Sequence, residues 1–365
     1  MVKKVVVAID SYKGCATSAE LNAAVKQGIA QYNPQISVTC QAIADGGEGS
    51  MQAIYEALGG EFIQVATVDL LNRPITANYL LSQDIAVIEV AEVVGIDKII
   101  PSMDTIQRAS TFGLAALLLD ALKRKVREII ICLGGSGTSD GGMGLLAGLG
   151  VKGADLMAFS QLDFSEMADF SQVQLTILSD VTNPYAGRSG FSMIFGPQKG
   201  GNPTYLSQQS QQAQRIVDFL KQTQGIDLQQ IPGTGAAGGL GGALVLLGGQ
   251  ITPGFQKISE LTQLATHIAG ADLVITGEGK MDAQTAFGKV PFGVAQIAKQ
   301  YQVPTIALCG ALGEDLGQMS EVLLASFSIH SQLVPLAQAM DKDYTLTQIT
   351  RQAQMVCRVF FGGRS

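Results

Sequence analysis

Five segments of the sequence combine glycines with carboxylates, hydroxyls and lysines, and most of them follow an apolar run that predicts a strand. In open α/β sheets, ligands bind outside the carboxyl ends of the strands, so loops in these places can build one site. Their residue types suit an anion, a divalent cation or a substrate hydroxyl. The segments are 10–14, 45–50, 134–142, 180–201 and 276–289.

The first segment reads Asp10-Ser11-Tyr12-Lys13-Gly14 and follows the apolar run 4–9. Lys13 can neutralise a phosphate or a substrate carboxylate, and Asp10 can hold a metal or a hydroxyl. A polar turn that leads to a helix N-cap at Thr17 or Ser18 explains the same residues. Both interpretations stay open at this point.

The second segment reads Asp45-Gly46-Gly47-Glu48-Gly49-Ser50. It places two carboxylates three residues apart on flexible backbone, which suits a metal or a substrate hydroxyl. Alternatively, Glu48 lies in the first turn of a helix, where the helix dipole favours a negative charge.

The third segment, residues 134–142, stands between the strand-like run 129–133 and an apparent helix. A strand, a loop of glycines and hydroxyls and a helix N-terminus together favour an anion, because backbone N–H groups converge there. Phosphate binding is therefore predicted. Asp140 is the exception, because an acid repels phosphate unless a cation intervenes, and it indicates Mg²⁺ or a substrate hydroxyl.

The last two segments add further carboxylates and lysines. Asp180 follows the strand-like run 175–178, and Lys199 lies in a glycine-rich loop where a solvated surface lysine is the alternative. Glu278 and Asp282 follow the run 273–275, with lysines close by, and suit a nucleotide and metal neighbourhood. A capped helix start is the alternative for these two acids.

Several familiar kinds of site are missing from the sequence. No P-loop string and no protein-kinase motif set is present, and neither histidine lies in one of the five segments. The sequence thus argues against serine–histidine hydrolysis and histidine-rich zinc sites. Residues 233–238 match the dinucleotide fingerprint, but no predicted strand precedes them, so an NAD-dependent oxidoreductase is only an alternative.

Composition narrows the class of protein. A net charge of −7 argues against nucleic acid and anionic lipid as partners. The five cysteines are scattered and odd in number, which predicts neither disulfides nor zinc and favours a cytoplasmic location. The uncharged stretch 228–256 is long enough to span a membrane, but its prolines and glycines favour a loop that enters a packed helix.

With 365 residues, the chain exceeds the size at which one core usually stops growing, so two domains are expected. Both ends show an alternation of buried strands and helices, and residues 61–89 contain closely spaced strand candidates typical of an antiparallel meander. We predict an α/β protein with a three-layer, Rossmann-like parallel-sheet domain, 1–60 with 262–365. A second, mixed α/β domain, 61–261, is inserted into it.

In this order, the segments resemble the bacterial type 1 glycerate kinases. The strings that carry the resemblance are Asp10-Ser11-Tyr12-Lys13-Gly14, Asp45-Gly46-Gly47-Glu48-Gly49, Gly134-Gly135-Ser136, Asp140-Gly141-Gly142, Asp180-Val181-Thr182-Asn183-Pro184, Phe195-Gly196-Pro197-Gln198-Lys199-Gly200, Gly235-Ala236-Ala237-Gly238-Gly239-Leu240-Gly241 and Thr276-Gly277-Glu278-Gly279. The resemblance implies two α/β domains with the active site in a cleft between them. It also implies transfer of the γ-phosphoryl group of ATP to D-glycerate, with 2-phosphoglycerate as the associated product.

Hypothetical roles follow from the chemistry of phosphoryl transfer, which requires positioning and charge neutralisation. The acids and lysines assigned to catalysis are Asp180, Asp140, Lys13 and Lys199. Those assigned to the substrate are Asp10, Ser11, Asp45 and Gly46, and those assigned to the nucleotide are Gly134, Gly135, Ser136, Gly141 and Gly142. The Mg²⁺ ligands are Glu48, Glu278 and Asp282, to which Asp45 can contribute.

The expected partner is thus a small molecule, with ATP and Mg²⁺ as cofactors, and the expected assembly is a monomer or a homodimer. A sensor of small hydroxy acids that has a kinase fold but no catalysis is the second alternative.

Overall fold

The computed structural model describes residues 2–286 and 288–362, and the chain forms two compact units. Unit 1 comprises Met1–Asp45, Gln52–Gly59 and Phe255–Ser365. Unit 2 comprises Gly46–Met51 and Gly60–Gly254.

The strands of the described residues lie close to the apolar runs of the sequence. In chain order they are β1 (Lys4–Ile9), β2 (Ser37–Cys40), β3 (Glu61–Val68), β4 (Pro74–Ser82), β5 (Ile85–Glu89), β6 (Glu128–Cys132), β7 (Gln174–Leu178), β8 (Gln250–Thr252), β9 (Leu273–Gly277), β10 (Lys280–Met281), β11 (Thr305–Cys309), β12 (Ala311–Leu312) and β13 (Ala325–Ser328).

The helices of the described residues vary from single turns to six turns. In chain order they are α1 (Ser18–Tyr32), α2 (Ser50–Leu58), α3 (Ala91–Val94), α4 (Met103–Arg108), α5 (Leu114–Lys123), α6 (Met143–Gly148), α7 (Phe191–Phe195), α8 (Pro203–Gln224), α9 (Leu240–Leu246), α10 (Gly254–Leu261), α11 (Leu264–Ile268), α12 (Val290–Gln300), α13 (Met319–Val322), α14 (Leu336–Ala339) and α15 (Lys342–Gly362).

Unit 1 contains a five-stranded sheet in the order β13-β11-β9-β1-β2, and all of its strand pairs are parallel. Along β11 the side chains alternate between two cores. Ile306 and Leu308 pack into the cluster that includes α1 and α15, whereas Ala307 and Cys309 pack into a second cluster with Met319 of α13. Helices therefore cover both faces of the sheet, and the predicted three-layer α/β fold is confirmed.

The start of α1 shows how local chemistry fixes an element. The Thr17 side chain accepts a hydrogen bond from the Glu20 backbone N–H, and the Glu20 carboxylate accepts one from the Thr17 N–H. This capping box satisfies two donors that the helix itself leaves unpaired. The predicted N-cap at Thr17 is confirmed, so part of the first segment serves as a turn that leads into a helix.

Unit 2 contains a six-stranded mixed sheet in the order β3-β4-β5-β6-β7-β8. The first two pairs are antiparallel, which confirms the predicted meander, and the pairs from β5 to β8 are parallel. Glu89 at the end of β5 is paired with Cys132 at the end of β6, and Cys132 is paired with Leu178 at the end of β7. The loops that follow these strands therefore leave the sheet at one edge.

The structure tests the predictions made for Glu48, for residues 233–238 and for the uncharged stretch 228–256. The helix that follows the second segment begins at Ser50, so Glu48 precedes it and does not lie in its first turn. The dinucleotide-like string 233–238 follows a 3₁₀ helix, Leu228–Gln230, which confirms that it lacks the strand a fingerprint requires. Within residues 2–286 and 288–362, no helix is both long and apolar enough to cross a membrane.

The contact between α1 and α15 yields a test of the fold. A Cβ atom placed on Gly28 would lie 2.1 Å from the backbone oxygen of Thr350, which cannot yield without moving α15. We expect Gly28→Ala to lower the free energy of unfolding by about 1–3 kcal/mol despite the better helix propensity of alanine. Gly362→Ala is the matched control, because the nearest atom to its Cβ among the described residues, the Tyr32 hydroxyl oxygen, would lie at 3.8 Å. Urea denaturation of both variants measures the effect, and equal stabilities would contradict this packing.

Candidate active site

A cavity of about 1080 Å³ lies in unit 1, where its parallel strands end. Its wall includes residues from the loops that follow β1, β9, β11 and β13. The predicted site residues that line it are Asp10, Ser11, Lys13, Asp45 and Glu278. The structure thus brings together members of the first, second and fifth segments, as expected for loops at one edge of a parallel sheet.

Asp10 is held at the end of β1 by the sheet itself. Its backbone N–H donates to the carbonyl oxygen of Gly277 on β9 at 2.9 Å, and its Oδ1 accepts from the Ser11 N–H at 2.8 Å. The side chain is buried, and this burial together with the negative charge of Asp45 raises the pKa of Asp10 to about 7. A carboxylate of this pKa exchanges a proton near neutral pH.

Lys13 forms only a loose ion pair within unit 1. Its Nζ lies 3.8 Å from Oδ2 of Asp45, and both side chains reach solvent, with the lysine 67% exposed. The neighbouring Tyr12 is anchored, because its hydroxyl donates to the carbonyl oxygen of Leu308 at 3.0 Å. A pair of this kind contributes little to stability, so Lys13 can exchange Asp45 for an anionic ligand at small cost.

Glu278 is the buried acid of the fifth segment. Its carboxylate accepts a hydrogen bond from the Thr285 hydroxyl at 2.5 Å and lies 3.2 Å from Nζ of Lys289. Burial raises the pKa of Glu278, while these two partners act in the opposite direction. Asp282 lies apart from the cavity wall and contacts Lys280 at 3.6 Å and the Gln284 N–H at 3.0 Å.

In unit 2, several N–H groups of the glycine loop 134–142 donate hydrogen bonds to protein acceptors. The N–H groups of Gly137 and Gly141 donate to the carbonyl oxygens of Val94 and Gly238 at 2.7 and 2.9 Å. The N–H of Gly142 donates to Oδ1 of Asp140 at 3.0 Å. Because these donors already have protein acceptors, the phosphate cradle predicted for this loop gains no support from them and stays a prediction.

Asp140 has contacts typical of a structural carboxylate. Oδ2 accepts hydrogen bonds from the backbone N–H and the hydroxyl of Thr111 and from the N–H of Gly144, at 2.7 to 3.1 Å. Burial raises the pKa of Asp140, and the donors from Thr111 and Gly142 oppose that rise. The carboxylate thus fastens the loop and the start of α6 to the segment that contains Thr111.

Lys199 is buried beneath the same loop, with only 2% of its surface exposed. Its Nζ donates to the Ser136 hydroxyl at 3.1 Å and to the carbonyl oxygen of Thr138 at 2.5 Å. Burial lowers the pKa of Lys199 to about 7, an effect that the charge of Asp140 opposes. Lys199 therefore acts on the loop rather than on a group in solvent.

The other predicted residues of unit 2 lie at the same sheet edge. Gly46 has φ +88°, and a Cβ there would lie 2.9 Å from Cβ of Leu178, so only glycine fits this close approach. Asp180 is exposed, and its Oδ1 accepts from the Gly254 N–H at 2.9 Å. Glu48 is exposed as well.

Glu89 is a functional candidate that the sequence analysis missed. Its carboxylate accepts from the Met51 N–H at 2.7 Å, and burial raises the pKa of Glu89 to about 7, with Glu92 and Glu48 adding to the rise. The sequence did contain a feature that could have identified Glu89. It is a carboxylate near the carboxyl end of the apolar run 85–90, where ligands bind in α/β sheets.

The acids of both units have the oxygen donors that Mg²⁺ prefers. Within residues 2–286 and 288–362, however, no three His, Cys, Asp or Glu side chains are grouped closely enough to hold a metal ion. Mg²⁺ is usually bound through one or two carboxylates together with substrate phosphates, so this arrangement fits an ion that arrives with its ligand.

Comparison with known proteins covers nearly the whole chain. Residues 5–361 match the model of the glycerate kinase family. The glycerate kinase of Halalkalibacterium halodurans is 35% identical, with 96% of this chain and 97% of that protein covered. The glycerate 2-kinase of Escherichia coli K12 is 32% identical, with coverages of 93% and 94%. A crystal structure assigned as glycerate kinase 2 of Salmonella typhimurium LT2 matches with a TM-score of 0.87 and 33% identity over 100% of both chains.

The burial of Lys199 predicts a specific pH dependence of stability. Its pKa falls from 10.5 to about 7 on folding, so its burial carries no protonation cost above pH 10.5 and a cost that grows as the pH falls from 10.5 to 7. Relative to Lys199→Met, the wild-type protein should gain up to roughly 1.4 kcal/mol in free energy of unfolding per pH unit between 7 and 9.5. Urea titrations at several pH values measure this difference.

The control for this experiment is Lys123→Met, which removes an exposed lysine at the end of α5. Its stability relative to the wild-type protein should not change over the same pH range. A pH-independent difference for Lys199→Met as well would mean that Lys199 keeps its proton in the folded protein.

Proposed function

This chain belongs to the glycerate kinase family, and from that membership we infer that it transfers the γ-phosphoryl group of ATP to D-glycerate. The observation that carries this conclusion is the family match over residues 5–361, which includes all five segments with their acids and lysines. The relative from Escherichia coli that is named glycerate 2-kinase supports the 2-hydroxyl as acceptor, with 2-phosphoglycerate and ADP as products. Neither the oxidoreductase nor the non-catalytic sensor is supported by the relatives.

The unit 1 cavity offers the charges that phosphoryl transfer uses. Lys13, Lys280 and Lys289 lie in its wall beside Asp10 and Asp45. Positively charged groups stabilise the negative charge that spreads over the transferring phosphoryl group. We assign Lys13 to this role, because its loose pairing with Asp45 leaves it able to contact an incoming anion.

Asp10 is our candidate for the group that orients the substrate hydroxyl and accepts its proton. It is fixed by the β1–β9 pairing, it lines the cavity, and its pKa of about 7 suits proton transfer at neutral pH. Asp140 is less suitable than the sequence indicated, because its oxygen atoms already accept several hydrogen bonds. Asp180 remains the rival candidate in unit 2.

Asp45 and Glu278 are the cavity acids that would hold Mg²⁺, and Glu48 and Asp282 are the other proposed ligands. The acids concentrate negative charge, since Asp45 and Glu278 both raise the pKa of Asp10, and a divalent cation relieves that charge. When bound, Mg²⁺ neutralises charge on the nucleotide phosphates. Lys199 would contribute by holding the loop of Ser136 and Thr138 in place, as a positioning residue.

We also propose a cytoplasmic enzyme that acts as a monomer or a homodimer on a small-molecule substrate. Supply of ATP inside the cell and the scattered, odd-numbered cysteines support the location. The acidic net charge of −7 supports the expectation that nucleic acid is not a partner.

The reaction and its regiochemistry can be tested in one assay. Purified protein is incubated with ATP, Mg²⁺ and D-glycerate, and the product is coupled to enolase alone or to phosphoglycerate mutase with enolase. We expect a signal with enolase alone, which accepts only the 2-phosphate. A signal that requires the mutase would assign the 3-hydroxyl, and no signal in either arm would contradict the kinase function.

The role of Asp10 is tested by Asp10→Asn beside Asp180→Asn. We expect Asp10→Asn to lower kcat by about 10²- to 10⁴-fold, because general-base catalysis contributes rate of this size, and to change the KM for ATP far less. Circular dichroism of both variants checks folding. Loss of turnover in Asp180→Asn with turnover retained in Asp10→Asn would transfer the role to Asp180.

A further inference from the structure

The unit 1 cavity has two walls of different character. Lysines 13, 280 and 289 and their neighbouring acids form one part of its lining. The segment that joins β13 to α15 forms another part, which we call the apolar wall, and it consists of Leu333, Val334, Leu336 and Met340. None of the charged residues discussed above contributes to the apolar wall.

Three side chains of the apolar wall are largely exposed to solvent although they are hydrophobic. Leu333 is 102% exposed, Leu336 is 76% exposed and Met340 is 42% exposed. The single turn α14, which contains Leu336, has no buried residue. Single exposed leucines are ordinary, but several that line a concave cavity together with convergent charged groups are typical of a ligand site.

The cavity is also much larger than the acceptor substrate. Sites for drug-sized ligands measure about 300 to 1,000 Å³, and this cavity of about 1080 Å³ lies just above that range. D-glycerate is a three-carbon acid with no apolar face, so it leaves most of the volume and the whole apolar wall uncovered. ATP has an anionic end and a flat base with apolar faces, and it matches both walls at once.

We propose that the adenosine part of ATP binds against the apolar wall of unit 1, with the triphosphate directed towards Lys13, Lys280 and Lys289. This inference rests on the proposed function, since it assigns a place to the nucleotide that the reaction requires. The glycine loop 134–142 then has a structural task, in agreement with the protein acceptors that the N–H groups of Gly137, Gly141 and Gly142 already have.

The double variant Leu333→Ser with Leu336→Ser tests this assignment. Both side chains are exposed, so their replacement should leave the melting temperature unchanged. We expect the KM for ATP to rise about tenfold, because the base loses apolar contact. The value of kcat at saturating ATP and the KM for D-glycerate should not change. Inhibition by inorganic tripolyphosphate should keep its strength, since that probe has phosphates but no adenosine.

The matched control is Leu324→Ser with Val359→Ser, which removes two exposed apolar side chains of unit 1 that do not line the cavity. Its KM for ATP should equal that of the wild-type protein. An unchanged KM for ATP in the Leu333 and Leu336 variant would overturn the proposal, and so would an equal loss of affinity for ATP and tripolyphosphate. A wild-type protein that binds ATP but phosphorylates no glycerate would contradict the proposed function alone.

Discussion

The parallel pairing of β1 with β9 is the constraint on which the unit 1 site depends. It joins residues about 270 positions apart in the chain, with Val5 opposite Leu273 and Ile9 opposite Gly277. The buried Thr276 hydroxyl donates to the carbonyl oxygen of Ala8 at 2.7 Å and fixes this register. Asp10 and Glu278 each follow directly after the paired residues. A shift of one strand by one position would therefore turn the acid on that strand to the other face of the sheet, away from its neighbour. The placement of the two acids in the cavity wall is therefore a consequence of strand register.

Both units bury ionisable groups whose charge the surroundings do not fully compensate. Asp10 and Glu89 have their pKa values raised to about 7, and the pKa of Lys199 is lowered to about 7. Burial is the first cause in all three cases, so each group makes folding less favourable at neutral pH than an apolar residue would. Perturbed pKa values of this kind concentrate at functional sites. The buried Nζ of Lys199 donates to the Ser136 hydroxyl and to the Thr138 carbonyl oxygen, so it fastens that loop.

Much of the fold was predictable because its signals are local. The buried strand 128–132 stands out as an apolar run, and the capping box of α1 can be read from Thr17 and Glu20. The site was only partly predictable, because its chemistry depends on contacts between distant residues. The carboxylate of Asp140 accepts hydrogen bonds from Thr111, which lies 29 positions earlier in the chain. The raised pKa of Glu89 depends on burial in the folded protein. The apolar wall could not be predicted from the sequence, because a sequence does not distinguish exposed leucines from buried ones.

Glycines in loops next to strands have two different uses, and several glycines of unit 2 serve close packing of the backbone. A Cβ on Gly134 would lie 2.4 Å from Cα of Gly47, and a Cβ on Gly238 would lie 2.0 Å from the carbonyl oxygen of Thr138. These glycines permit backbones to pack directly against each other, which is a different use from holding a phosphate. Anion binding requires backbone N–H groups that are free to donate to a ligand. In closely packed backbone, these groups donate to protein carbonyl oxygens instead. Glycine content alone therefore indicates a close approach of the backbone, and the partners of the N–H groups decide whether the approaching group is a ligand or the protein itself.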